Sequence, residues 1–313
     1  MPVFRYPTVS GVARRARAIL GLEAGVDGHS AGGVAPENMI WIFGTGRTGS
    51  TWLAAMMEEP EGHDVWFEPR VGTVFDPQRF QRHGGKHFIL ASQYKDVWLR
   101  SIRNFILDGA NARFPELAGG YLAVKEPGGS VGAGLIMEAL PESGMVLLIR
   151  DPRDVVASWL DATRKGGWQT RRRGEGGRRA ESLAETNPNA FVRRHADAYL
   201  QHVGSARQAY EAHDGRKVVV RYEDLRADTL GTMKRMYAEL DVPVEDARLA
   251  EAVEKHSWEN IPEDEKGQGK FYRKATPQAW REDLTRRQVK TVERITAPLL
   301  EEFYPTGPAE QQG

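Results

Sequence analysis

The chain has no cysteine in its 313 residues. Disulfides, thiolate zinc sites and cysteine nucleophiles are thereby excluded, although this alone does not decide the compartment. It has no excess of either charge: 43 Lys and Arg face 43 Asp and Glu, and the pI is near 7.1. A whole-surface attraction to nucleic acid is absent, so no nucleic-acid partner is expected. No apolar run approaches the ~18 residues a membrane-spanning helix needs. The N-terminus also lacks the continuous apolar core of a signal peptide. The expectation is a cytoplasmic protein without an integral membrane segment; nothing in the pattern bears on oligomeric state.

What is present is an alternation of short apolar runs and helical patterns. Residues 39–43, 65–67, 121–124, 145–149 and 217–220 read as strands. Helical stretches lie at 51–57, 93–107, 132–140, 154–162 and 189–213. Such alternation predicts an α/β fold, a parallel sheet with helices on both faces and ligands at the carboxyl ends of the strands. The domain is expected over 37–305, after an N-terminal extension (1–36) and before a short tail (306–313). Within the extension, residues 12–20 suit a basic amphipathic helix and 25–36 a linker. Residues 163–187 are too polar and glycine-rich for core; they read as a solvated loop or as a lid whose arginines meet an anion.

Residues 39–53, Met-Ile-Trp-Ile-Phe-Gly-Thr-Gly-Arg-Thr-Gly-Ser-Thr-Trp-Leu, form a strand, a glycine-rich turn and a helix start. This is a phosphate cradle, in which glycines let the backbone approach an anion and helix N–H groups face it. Its spacing is nearly that of the G-x-x-x-x-G-K-[ST] loop. Gly44 and Gly49 take the glycine positions and Thr51 the hydroxyl, but Ser50 stands where the lysine belongs; the nearest cation is Arg47. A second strand-to-helix turn, at 146–159, ends its strand in Arg150 and carries Ser158 back towards the strand end. Arg150 could grip a phosphate with its planar fork while Ser158 adds a hydroxyl.

Together these two motifs resemble the cofactor signature of sulfotransferases that use 3′-phosphoadenosine 5′-phosphosulfate (PAPS). The resemblance implies a P-loop-type α/β fold. It also implies that Arg47, Thr48, Gly49, Ser50, Thr51 and Trp52 cradle the 5′-phosphosulfate, while Arg150 and Ser158 hold the 3′-phosphate. Three later segments are similar to the family's in the same order. The Tyr222-Glu223-Asp224 strand end would place its tyrosine by the adenine, and His256-Ser257-Trp258 would stack its indole on the base. Arg273-Lys274 would close over the 3′-phosphate, although Ala275 and Gln278 replace the family's glycines there; Lys266-Gly267 is the rival assignment. The resemblance covers about 39–303 and is closer to the carbohydrate-modifying and bacterial branch.

The implied chemistry is sulfuryl transfer to an acceptor hydroxyl on a glycan, a glycolipid or a hydroxylated metabolite, with no metal required. Such transfer rests on in-line positioning and on charge stabilisation at the leaving oxygen. A general base must take the acceptor proton. Glu68, in a segment resembling the carbohydrate branch's Phe-Glu-Pro, is the first candidate and Glu126 the second; His63 and His87 follow. Lys125 would stabilise the transferred or leaving oxygen. Two alternatives stand beside this reading: a P-loop kinase using ATP and magnesium, disfavoured by Ser50, and a non-catalytic nucleotide-binding protein of the same fold.

Overall fold

Five consecutive apolar residues with no alternation suit a strand buried on both faces. In the computed structural model, which describes residues 33–77, 95–170, 183–274 and 276–305, this run is β1 (Met39–Phe43), buried throughout and central in the sheet. With it run β2 (His63–Phe67), β3 (Tyr121–Lys125), β4 (Gly144–Ile149) and β5 (Lys217–Arg221). All pairings are parallel, in the order β2-β3-β1-β4-β5. The register sets Lys125 beside both Ile42 and Phe67, and Ile149 beside Arg221, so the strand ends share one edge.

Twelve α-helices lie wholly within the described residues. In chain order they are α1 (Ser50–Met57), α2 (Val71–Val74), α3 (Lys95–Arg113), α4 (Ala133–Ala139), α5 (Pro152–Thr163), α6 (Leu183–Thr186), α7 (Pro188–Ala212), α8 (Tyr222–Ala227), α9 (Thr229–Glu239), α10 (Asp246–Lys255), α11 (Trp280–Asp283) and α12 (Arg286–Phe303). None is long and apolar enough to cross a membrane. The chain leaves β1 in one direction along the sheet and takes the opposite direction after β2. Right-handed crossovers then require α1 on one face and α3, α4 and α7 on the other. The side chains obey: Met39, Trp41 and Phe43 pack with Ile106, Ile136 and Val203, whereas Ile40 and Ile42 pack with Leu53, Met56 and Met236.

Element boundaries depart from the sequence reading in physically simple ways. Helix α3 runs on to Arg113 because Ile106, Leu107 and Ala110 continue its buried stripe. Its Gly109, which breaks the pattern in sequence, lies against Trp66, whose ring a Cβ there would meet at 3.1 Å. Helix α5 starts two residues earlier than expected, with Pro152 in its first turn and the Asp151 side chain accepting the Arg153 N–H. Val34, ahead of the expected domain start, is buried in the core and donates its N–H to Asn111. The basic helix expected at 12–20 and the tail at 306–313 lie outside the described residues.

Candidate active site

Chain reversal between β1 and α1 takes six residues, and two glycines make it feasible. A Cβ on Gly44 would sit 2.2 Å from the Leu148 carbonyl oxygen. Gly49 has φ +86° and faces the Tyr222 ring, which a Cβ would meet at 2.6 Å. The Thr48 hydroxyl donates to the Thr45 carbonyl at 2.8 Å, and the Gly44 N–H donates to Ser130 Oγ at 2.8 Å, so the turn is pinned from inside. Among the described residues, no side chain caps the start of α1. Its first N–H groups are left to an anion in the cradle.

Arginine supplies the charge in this cradle. Arg47, held at φ +72°, donates from Nε to Ser158 Oγ at 2.9 Å and from Nη2 to the Phe271 carbonyl at 2.8 Å. Burial, and after it the nearby Arg150, push the Arg47 guanidinium down to about 10. Arg150 donates to the Arg47 carbonyl at 3.1 Å and lies 4.2 Å from the Tyr222 ring centroid. Its Nε is buried and has no partner among the described residues. Two crowded guanidiniums, one with an orphaned donor, fit a multiply charged oxyanion. Arg273 joins them but is ion-paired with Asp161 and Asp283, and Lys274 pairs with Glu282 at 2.9 Å.

At the other end of the cradle Lys125, nearly buried, donates to Thr51 Oγ1 at 3.2 Å and to Glu68 Oε1 at 2.7 Å. Glu68 keeps nearly half of its side chain exposed. These groups line one cavity of about 930 Å³ that runs from Trp52, Tyr222 and Trp258 at one end to Glu68 and Arg70 at the other. The dimensions suit a nucleotide plus part of a second substrate.

A family model described as the sulfotransferase family matches residues 39–246. The chain belongs to the sulfotransferase family. Among solved structures it is similar to the sulfotransferase STF9 of Mycobacterium avium, at 16% identity and TM-score 0.52, covering 95% of this chain and 81% of that one. It is also similar to the mouse sulfotransferase SULT7A1 complexed with PAP, at 14% identity and TM-score 0.52, covering 87% of each chain. At these identities the likeness is one of fold. No curated protein matches the sequence.

Of the residues singled out in sequence, Arg47, Gly49, Ser50, Thr51, Trp52, Glu68, Lys125, Arg150, Ser158, Tyr222, Trp258, Arg273 and Lys274 all line the cleft of this sulfotransferase. Three do not. Thr48 is fully buried beneath the loop. Ser257 begins the turn before Trp258 and is not among the lining residues, its N–H donating to the Glu254 carbonyl. Glu126 follows Lys125 but is buried outside the cleft lining, where Oε2 accepts the Arg70 N–H at 2.8 Å and Oε1 has no partner among the described residues. Burial pushes its carboxyl up to about 7. His63 begins β2, at the opposite edge of the sheet from the strand ends, where it stacks on Tyr121. His87 and Ala275 lie outside the described residues.

The rival assignments Lys266-Gly267 and Arg273-Lys274 are the two ends of one loop. The Gly267 N–H donates to the Tyr272 and Arg273 carbonyls, and Lys266 lies 5.3 Å from the Trp258 ring. Sequence reasoning overlooked Trp168 and Phe271, whose rings lie 5.5 and 5.0 Å from the Arg47 guanidinium. It also overlooked Asp154 and Asp161, which anchor the segment carrying Phe271 and Trp280. The available signal was the spacing of Asp154, Ser158 and Asp161, which share one face of α5.

Proposed function

We propose that this sulfotransferase moves a sulfuryl group from PAPS to a hydroxyl of a glycan, a glycolipid or a hydroxylated metabolite. The sulfur–oxygen bond to the 5′-phosphate breaks, a bond from sulfur to the acceptor oxygen forms, and the acceptor proton passes to Glu68. The products are the sulfate ester and adenosine 3′,5′-bisphosphate (PAP). One observation carries the reading: Arg47 and Arg150 converge on a glycine loop that has Ser50 in the lysine position, and Arg150 Nε is buried without a partner among the described residues.

In this reading Arg47 and the N–H groups of Gly49 to Thr51 stabilise charge on the leaving oxygen. Lys125, bonded to Thr51 and Glu68, would stabilise the transferred or leaving oxygen. Arg150, Ser158 and Arg273 take the 3′-phosphate, with Lys274 beside them; Tyr222, Trp52 and Trp258 flank the base. Glu68 is the base in preference to Glu126, because it faces the cleft and Glu126 does not. We further assign the transferase domain to 37–305 and a cytoplasmic setting.

Thermal stabilisation by ligand tests the proposal. PAP at a hundredfold excess over its Kd raises Tm by several degrees, whereas ATP or ADP with magnesium does not. Equal stabilisation by 5′-AMP would remove the 3′-phosphate from Arg150, Ser158 and Arg273. Stabilisation by magnesium nucleotides alone would restore the kinase reading.

A further inference from the structure

The cleft is far more basic than the chain around it. Seven lysine and arginine side chains line it among the described residues, against one carboxylate, Glu68, in a sequence whose charges balance. Six of the seven have work within the protein. Arg47 and Arg150 are bonded into the phosphate loop, Lys125 to Glu68, and Arg273 and Lys274 to carboxylates of α11. Arg226 lies 5.4 Å from the Trp52 ring. The seventh is Arg70. Among the described residues its guanidinium has no hydrogen bond, no ion pair and no ring contact; its charge acts on the buried Glu126 only at a distance, and Arg70 lines the same cavity as Glu68.

The backbone holds Arg70 there deliberately. Glu68 and Arg70 both adopt left-handed conformations, φ +45° and +62°, on either side of Pro69. Each such conformation is costly for a residue with a Cβ and persists only where the surroundings impose it. Here the Glu68 N–H donates to the Lys125 carbonyl at 2.9 Å, and the Arg70 N–H donates to the buried Glu126 carboxyl at 2.8 Å. A turn strained at two positions and tied down at both thus directs a carboxylate and a cation into one cavity. Two residues apart, their Cα atoms are at most about 7 Å from one another.

We infer that Arg70 selects an acceptor carrying an oxyanion, a carboxylate or a sulfate ester, close to the hydroxyl that Glu68 deprotonates. The inference rests on the reading of Glu68 as base and of the cleft as a PAPS site. Because both residues line one cavity, a single small molecule or adjacent sugar units can present the anion to Arg70 and the reacting hydroxyl to Glu68. An acceptor of this kind gains a charge-assisted, two-pronged hydrogen bond that a neutral acceptor lacks.

The test compares matched acceptors that differ only in charge. Phenyl glucuronide is set against phenyl glucoside, an N-sulfated glucosamine disaccharide against its N-acetylated counterpart, and 4-hydroxyphenylacetate against its methyl ester. PAPS-dependent turnover is measured for wild type, R70A, R70K and R70E, with PAP affinity measured on the same samples. The wild type favours the acid of at least one pair by roughly tenfold or more in kcat/KM. In R70A that acid falls to the level of its neutral partner, mainly through KM; R70K restores part of the preference and R70E reverses it. The sugar and phenol arms separate a glycan acceptor from a small hydroxy acid. No acid preferred in any pair, including no turnover at all, overturns the inference, as does a preference that survives in R70A. Failure to bind PAP would instead overturn the proposed function.

Discussion

Glu126 offers a quantitative check on the structure, because its carboxyl is buried at 1% exposure with one oxygen orphaned. Burial dominates and raises it from 4.5 to about 7; the Arg70 N–H bond opposes this, and the Glu68 charge adds to it. The linkage sign follows directly. Below pH ~4.5 both folded and unfolded chains hold the proton, and Glu126→Gln should match wild type. Between about 4.5 and 7 only the folded chain holds it, so wild-type stability falls by up to about 1.4 kcal/mol per pH unit. Above 7 both are ionised and the loss is constant, on the order of 3 kcal/mol. Glutamine keeps an acceptor for the Arg70 N–H and cannot ionise. Urea melts of both proteins from about pH 5 to pH 8 should therefore diverge, the variant becoming the more stable as pH rises. A difference that stays flat within about 1 kcal/mol across that range would refute the burial argument.

Glu68→Gln should lower single-turnover rates by roughly 10²- to 10⁴-fold while PAP affinity, by calorimetry, stays within about twofold. An unchanged rate would pass the proton to another group. Gly49→Ala combines a left-handed backbone costing about 1–2 kcal/mol with a Cβ 2.6 Å from Tyr222, the ring beneath Arg150. Both melting temperature and PAP affinity should fall. Gly62→Ala shares the positive φ with nothing within 4 Å of the added carbon, so it should cost stability alone; equal PAP losses in the two variants would contradict the steric account.

The parallel sheet was legible because β1 and β4 are unbroken apolar runs, a pattern that buried central strands produce and amphipathic helices do not. The cradle was legible because its glycines mark positions where a side chain would collide with Leu148 or Tyr222. Other features were not. Lys125 and Glu126 are neighbours at a strand end, so both reading as site residues is natural; only the pleat, which sends successive side chains to opposite faces, separates them. The Arg47 platform joins Trp168 and Phe271 from segments a hundred residues apart, a long-range contact no local period encodes. Asp154 and Asp161 look like ordinary helix-surface acids in sequence, yet both are buried, because the segment around 266–280 covers them.

That cover explains how a phosphate loop functions without its lysine. Along one face of α5, Asp154 accepts the Gln278 and Trp280 N–H groups, Ser158 accepts Arg47 Nε, and Asp161 accepts the Gly269 N–H while pairing with Arg273. One helix therefore fixes a cation from the loop and a cation from the cover in a common frame. The two are not equivalent. Arg273 shares its charge with two carboxylates, whereas neither Arg47 nor Arg150 has an ion-pair partner among the described residues. Arginine charge without an ion-pair partner among the described residues thus lies at the end of β4 and inside the loop, not at residue 50 where a lysine would meet the terminal phosphate of ATP. Under the proposed function, the displacement of charge from the lysine position to Arg47 and Arg150 is what would favour a nucleoside bisphosphate over a linear triphosphate.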